Sequence, residues 1–260
     1  MANVVSLLQY LQWGPPGLPE GEHGPSDRNT TNTRYNPLDI SLVTHWDDFN
    51  LETIMGEFEP LLRSTTIPAE GMPTPSRPVR NEEQIKTQFK CYLDGRVRRS
   101  FRATFAELRA KNILGNRAII SFDEGTRAQI LEKFQPDIAY FDITLHESTR
   151  ENRAPGDIKP SWKWSLALRH GDPRQRNEFR KVLAQVNYYM LQNHSRYGFV
   201  ITNEYLVAIR KGTARQGHLE LSSAIPWTEG GAEDHPRLTV LLALWYLGML
   251  AADNDGWTYP

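Results

Sequence analysis

The sequence predicts an α/β domain in which helices flank a central mixed β-sheet. Two segments, residues 118–122 and 137–142, are rich in the β-branched and aromatic side chains that favour strands. Helical patterns come before and after them, at residues 81–92 and 172–193, and a hairpin pattern follows at residues 197–211. This order of helix, strands, helix and hairpin favours a sheet that is covered by helices.

The first core helix is predicted to begin after Asn81, because asparagine is a preferred residue at helix N-termini. Ile85, Phe89 and Tyr92 then recur at helical spacing and define its buried side. A more basic helical segment follows at residues 96–111, and we expect its exposed face to be positive.

The middle of the chain is predicted to form strands with one short helix between them. Residues 118–122 and 137–142 are the first two strands, and residues 127–134 are the short helix. A polar turn then returns the chain to a partner strand. Trp162 and Trp164 alternate with polar neighbours, which predicts that this partner strand continues through them.

The second half of the chain carries clear start and stop signals. Asp172 before Pro173 predicts a capped helix that continues to about Asn193. Residues 203–204 lie between two strand patterns and predict a tight hairpin turn. Residues 238–252 are apolar, but the run of 15 residues is shorter than the roughly 18–20 that span a bilayer, so it predicts a buried core helix.

The chain is therefore divided into three parts. Residues 1–80 are predicted to be an N-terminal extension, irregular at residues 14–38 because Gly, Pro, Asn, Ser and Thr dominate there. Residues 81–211 form the core. Residues 212–260 form a C-terminal segment whose apolar helix packs on that core.

Composition narrows the classes of function. The 260 residues are 39% hydrophobic and 23% charged with a formal net charge of −1, which argues against a uniformly basic, sequence-blind nucleic-acid binder. One cysteine cannot form an intramolecular disulfide, and the N-terminus has no basic segment of the kind that begins a secretion signal. We expect an intracellular protein, cytoplasmic or nuclear, without a membrane partner. No glycine-rich phosphate loop is present, which disfavours a nucleotide-cofactor enzyme.

Two acidic motifs carry the predicted chemistry. Asp137 follows Pro136, and Asp157-Ile158-Lys159 comes some 20 residues later. Residues two apart on a strand point to the same face, so Asp157 and Lys159 project together, and Asp137 reaches them from the neighbouring strand. Two carboxylates and an ammonium are predicted to converge on one site.

This bipartite pattern resembles the signature of the PD-(D/E)XK nuclease superfamily, and the resemblance implies a restriction-endonuclease-like core over residues 81–211. Gln185 and Tyr189 match the Gln-x-x-x-Tyr pattern of the exonuclease-like branch, and their i, i+4 spacing places both on one helix face. The resemblance implies that this pair positions the lysine, the backbone or the substrate. It also implies an acidic residue on the first core helix, for which Glu82 is the choice and Glu83 the alternative. Fungal members of the superfamily are similar in this region.

The chemistry of phosphodiester hydrolysis explains the grouping. Mg²⁺ or Mn²⁺ prefers hard oxygen ligands, so Asp137 and Asp157 are the expected metal ligands, with the backbone carbonyl of Ile158 as a further oxygen. Lys159 is expected to orient the attacking water and to offset charge that develops on the phosphate.

The leading hypothesis is a metal-dependent phosphodiesterase that acts on DNA or RNA. Nucleic acid would bind through a local basic groove formed by residues 96–111 and by the basic side chains at the next helix start, namely Arg174, Arg176, Arg180 and Lys181. Two alternatives stay open. In the first, the chain is a repurposed enzyme of the same fold that acts on a small molecule. In the second, it is a non-catalytic binding protein in which Asp157 and Lys159 only pair with each other.

Overall fold

The computed structural model describes residues 3–24, 28–29, 32–71 and 75–259. Its strands in these ranges are β1 (Val4–Ser6), β2 (Leu42–His45), β3 (Thr66–Pro68), β4 (Ile120–Glu124), β5 (Ile138–Asp142), β6 (Gly156–Ile158), β7 (Tyr197–Ile201), β8 (Tyr205–Lys211), β9 (His218–Leu221) and β10 (Ile225–Pro226). Its α-helices are α1 (Leu7–Leu11), α2 (Leu51–Ser64), α3 (Glu82–Phe89), α4 (Gly95–Ala110), α5 (Pro173–Gln192) and α6 (Val240–Ala252).

The main sheet is mixed and eight-stranded, with strand order β2-β9-β8-β7-β6-β5-β4 and β10 paired to β8. The three strands β4, β5 and β6 pair antiparallel, whereas β6 and β7 are parallel and are joined by the crossover helix α5. The strands β1 and β3 form a separate antiparallel pair. The predicted α/β fold with a central mixed sheet flanked by helices is confirmed.

Helices cover both faces of this sheet. On one face α5 packs against β7 and β8, where Val182 and Val186 meet Val200 and Val207 in one apolar cluster. On the other face α4 and α6 pack in the larger cluster, which includes Tyr140. Burial of apolar area on two faces is the main driving force for this layered arrangement. No helix within the described ranges is both long and apolar enough to cross a bilayer.

Several predicted elements are confirmed close to their expected bounds. The side chain of Asn81 accepts a hydrogen bond from the Gln84 backbone N–H at 2.9 Å and starts α3. Asp172 and Gln175 form a capping box at the start of α5, and Pro173 occupies the first helical position. The hairpin β7–β8 and the buried helix α6 lie where they were predicted.

A short π turn at Lys90–Asp94 joins α3 and α4 into one continuous helix. Its flanking residues Phe89 and Gly95 both keep right-handed helical dihedral angles. The helical segments predicted separately at residues 81–92 and 96–111 are therefore parts of one long helix.

The prediction of a short helix at residues 127–134 is wrong. A 3-10 turn at Gly125–Arg127 is followed by irregular chain in which Leu131 bridges Phe134. Glu132 and Lys133 adopt φ values of 50° and 66°, and this left-handed conformation cannot continue a right-handed helix.

The predicted extension of β6 through the two tryptophans is also wrong. The strand ends at Ile158, and Pro160, which has no backbone N–H to donate to a sheet, begins a turn closed by the Lys163 N–H. Trp164 is fully buried instead, and its indole N–H donates to the Phe179 carbonyl at 3.2 Å.

The segment predicted as an N-terminal extension contributes to the main core. Leu7, Leu8 and Leu11 of α1 are completely buried in the larger apolar cluster, and β2 pairs parallel with β9 at the end of the main sheet. Between α1 and β2, the described residues 14–24, 28–29 and 32–36 form no helix and none of the named strands, as expected for residues 14–38. The last part of the chain adds β9, β10 and α6 to the same fold.

Candidate functional site

The predicted acidic motifs meet at one edge of the main sheet. The strands β5 and β6 are antiparallel, and their register places Ile138, the first residue of β5, opposite Gly156, the first residue of β6. Asp137 directly precedes β5, Asp157 lies within β6, and Lys159 directly follows β6. The strand pair therefore places all three side chains where the sequence predicted their convergence.

Asp157 is the most buried charged group of the site, with 2% of its surface exposed. Its Oδ2 lies 3.0 Å from the Lys159 ammonium, and the two groups form an ion pair. Burial raises the pKa of Asp157, the Asp137 carboxylate adds to that rise, and the Lys159 ammonium opposes it. The buried carboxylate therefore has the Lys159 ammonium as its nearest counter-charge.

Gln185 and Tyr189 support Asp157 from α5. The Gln185 amide lies 3.4 Å from Asp157 Oδ1 and donates to the Tyr189 hydroxyl at 2.9 Å. Burial, reinforced by the nearby Asp157 carboxylate, raises the pKa of Tyr189, so its hydroxyl stays protonated at neutral pH. The i, i+4 pair does share one helix face and reaches the acidic motif.

Asp137 is tied to the neighbouring strand. Its Oδ2 accepts a hydrogen bond from the Ile158 backbone N–H at 2.9 Å, and its Oδ1 lies 2.8 Å from the ammonium of Lys86. The backbone of Ile158 is therefore held directly beside the Asp137 carboxylate. This contact fixes the relative position of the two acidic motifs.

Lys86 of α3 is a member of the site that the sequence prediction missed. Its ammonium contacts Glu82 at 3.1 Å as well as Asp137, and these carboxylates outweigh burial and raise the pKa of Lys86. The same Glu82 oxygen lies 3.7 Å from the Lys159 ammonium, so Glu82 connects the two lysines. Glu83, the alternative, has 82% of its side chain exposed. The helical i, i+4 spacing of Glu82 and Lys86 was the available signal.

The site offers part of the hard oxygen ligand set that a Mg²⁺ or Mn²⁺ ion requires. Asp137 and Asp157 supply hard carboxylate oxygens of the kind that such an ion binds. In this arrangement an ammonium lies beside each carboxylate. Among the described residues no group of three His, Cys, Asp or Glu side chains is arranged to hold a metal, so an ion would depend on these two carboxylates, backbone oxygen and water.

The basic segment of α4 does not form a uniformly exposed positive face. Arg96 is buried, where it stacks 4.0 Å from the Trp13 ring centre and pairs with Glu70 at 3.3 Å. Arg98 pairs with two carboxylates on its own helix and on β4, at 2.8 and 3.1 Å. The expectation that Arg96 contributes to an exposed groove is therefore wrong.

Comparisons of the chain with protein-family models, with curated proteins and with solved structures found no match.

Proposed function

We propose that the chain is a metal-dependent, PD-(D/E)XK-like phosphodiesterase that cleaves DNA or RNA at the Asp137–Asp157–Lys159 cluster. The observation that carries the proposal is the convergence of the Asp137 and Asp157 carboxylates at one sheet edge, with the Lys159 ammonium 3.0 Å from Asp157 Oδ2. Two carboxylates that meet at one point offer the hard oxygen ligands that a divalent cation prefers.

The order of elements supports a restriction-endonuclease-like core for this proposal. One long helix precedes the three antiparallel strands β4, β5 and β6, and α5 then crosses to the parallel strand β7. The Gln185–Tyr189 pair lies on the helix that follows the Asp-x-Lys strand, which is its position in the exonuclease-like branch.

The residues of the site would have distinct roles in phosphodiester cleavage. Asp137, Asp157 and the Ile158 carbonyl would hold Mg²⁺ or Mn²⁺, and the bound ion would supply Lewis acidity toward a phosphoryl oxygen and lower the pKa of a bound water. Lys159 is held by Asp157 and offsets negative charge on the phosphate. Gln185 keeps Asp157 oriented.

Nuclease activity is tested with single- and double-stranded DNA and RNA in Mg²⁺, Mn²⁺ or EDTA. We expect cleavage only with metal, and a loss of about 100-fold or more in Asp157→Asn and Lys159→Met. Glu59→Gln is the matched control, because that carboxylate lies on α2, where it pairs with Arg63, and its loss should leave the rate unchanged. Absence of cleavage by the wild-type protein, or full activity of folded Asp157→Asn, would refute the proposal.

A second candidate, a non-catalytic binding protein, is favoured by the ion pairs themselves. Lys159 lies 3.0 Å from Asp157, and Lys86 lies 2.8 Å from Asp137, so both carboxylates are compensated by the chain's own ammonium groups. Isothermal titration with Mg²⁺ and Mn²⁺ separates the candidates. The phosphodiesterase binds metal through Asp157 and loses it in Asp157→Asn, whereas the binding protein gives the same negligible heat in both proteins.

A further inference from the structure

A small cavity of about 210 Å³ lies between the first half of α5 and β2, the strand at one end of the main sheet. Arg176 and Arg180 line it from α5, where their i, i+4 spacing places them on one helix face. Arg169 lines it from the 3-10 turn that precedes the helix. Residues 40–43 and Phe179 complete the wall, and no described carboxylate side chain belongs to it. We call this space the arginine cavity.

The arginine cavity carries positive charge that the described residues do not balance. None of its three arginines forms an ion pair with a carboxylate in the described ranges. Arg169 Nη2 donates to the Val43 carbonyl at 2.7 Å, and Arg176 Nη1 donates to the Gly171 carbonyl at 2.7 Å. Each of these bonds uses one of the five N–H donors of a guanidinium group, so the others stay available. Several cationic donors around one concave space favour an oxyanion, and the guanidinium fork matches the oxygens of a phosphate group.

The size of the cavity and the charge around it favour a phosphate group that belongs to a polymer. Sites that enclose a small molecule are usually about 300–1,000 Å³, whereas this cavity is smaller and its three arginines are exposed. Residues 163–181 contain six Lys or Arg residues but only two Asp or Glu residues, in a chain with a net charge of −1. A local excess of positive charge attracts a polyanion. The ligand that fits is therefore a polyanion that places one phosphate group in the cavity.

We propose that the arginine cavity binds one backbone phosphate of a nucleic-acid strand, with Arg169, Arg176 and Arg180 around the phosphate oxygens. The identity of the polyanion as DNA or RNA rests on the proposed function. Arg176 and Arg180 lie on roughly the opposite face of α5 from Gln185 and Tyr189, because a helix turns by about 100° per residue. The phosphate in the cavity is therefore a different one from the phosphate that is cleaved. It is a second contact that fixes the strand relative to the catalytic cluster.

The test measures binding of labelled single- and double-stranded DNA and RNA oligonucleotides by fluorescence anisotropy, in EDTA so that no strand is cut. We expect Arg169→Gln, Arg176→Gln and Arg180→Gln each to weaken binding about tenfold, because each removes a charge-assisted hydrogen bond to the same phosphate. These losses should not multiply in the triple variant, and the salt dependence of its affinity should correspond to about one released counterion fewer. Arg237→Gln is the matched control, because this exposed arginine precedes α6 and lies outside the cavity.

Folding of each variant is checked by its melting temperature, which should change little because the three side chains are exposed. Losses that multiply in the triple variant, with about three released counterions fewer, would indicate a diffuse basic surface and overturn the proposal. Equal binding by the wild type and by the folded triple variant would also overturn it, as would binding of inorganic phosphate or a phosphoserine peptide when no oligonucleotide binds. Nucleic-acid binding through these arginines without cleavage in Mg²⁺ refutes the phosphodiesterase alone. Cleavage with unchanged binding in the triple variant refutes the role of the arginine cavity alone.

Discussion

Replacement of Lys159 by methionine should destabilise the protein in a strongly pH-dependent way. Lys159 has only 10% of its side chain exposed and is the closest cation to the buried Asp157 carboxylate, at 3.0 Å. Methionine keeps much of the side-chain volume but leaves that carboxylate without its counter-charge. A broken buried ion pair typically costs about 3–5 kcal/mol.

The direction of the pH dependence follows from Asp157. Burial raises its pKa in the folded protein, and Lys159 is the main group that opposes this rise, so Lys159→Met raises the pKa further. The unfolded chain releases the same proton at a lower pH, so stability falls as pH rises from the ordinary aspartate pKa through the raised one. The pKa of Lys159 is raised above its ordinary value, so its own contribution is constant between pH 5 and 8.

The expected loss is therefore largest at pH 8. A chain of 260 residues loses about 2 °C in melting temperature per kcal/mol, so about 6–10 °C is expected at pH 8 and about half or less at pH 5. Thermal unfolding followed by circular dichroism at both pH values measures this difference.

A second substitution provides the internal control. Asp157→Asn in the Lys159→Met background removes the unpaired charge and should restore most of the lost stability. Lys90→Met removes an exposed pair with Glu124 and should cost less than about 1 kcal/mol at either pH. Equal losses at pH 5 and pH 8, or a double variant no more stable than Lys159→Met, would refute the reasoning.

Three further predictions concern the fold around the site. Tyr140→Phe should lose about 1–2 kcal/mol in urea unfolding, because the fully buried hydroxyl donates to the Leu244 carbonyl at 2.8 Å; unchanged stability would contradict this. Burial raises the pKa of Asp94 to about 6, so the stability of the wild type falls as pH rises from the ordinary aspartate pKa to about 6. The change in melting temperature caused by Asp94→Asn should therefore be more favourable at pH 7 than at pH 4. An equal change at both pH values would count against it. Gly156→Ala should cost about 1–3 kcal/mol or more, since the new Cβ would lie 2.1 Å from Phe199 Cζ, whereas Gly24→Ala, with no atom within 4 Å of its Cβ position, should have almost no effect on the melting temperature.

The fold was predictable where local signals determine the structure. The capping box at Asp172 and the apolar run of α6 are local, and the structure confirms both. The tryptophans after β6 were misread because alternation alone predicts a strand, while Pro160 ends the pairing and tertiary contacts bury Trp164. The core contribution of α1 was also missed, because its five residues carry no period long enough to detect.

The site was predictable where residues share a strand or a helix face. The spacing of Asp157 and Lys159 and of Gln185 and Tyr189 gave the correct shared directions. Lys86 was missed because only its i, i+4 spacing to Glu82 is visible in the sequence, whereas its contact with Asp137 joins two elements that are far apart along the chain. The ion pairs across the site could therefore be identified only from the structure.

The π turn at Lys90–Asp94 allows the two parts of the long helix, α3 and α4, to point their side chains in different directions around the helix axis. A π turn adds about one residue to a helical turn, which shifts everything before it by about 100° around the axis. Before the turn, Glu82 and Lys86 reach the carboxylates of the site; after it, Phe101 and Phe105 face the core. Deletion of a single residue within the turn would leave α4 packed on the core. It would rotate α3, so that its acidic and basic side chains point away from Asp137.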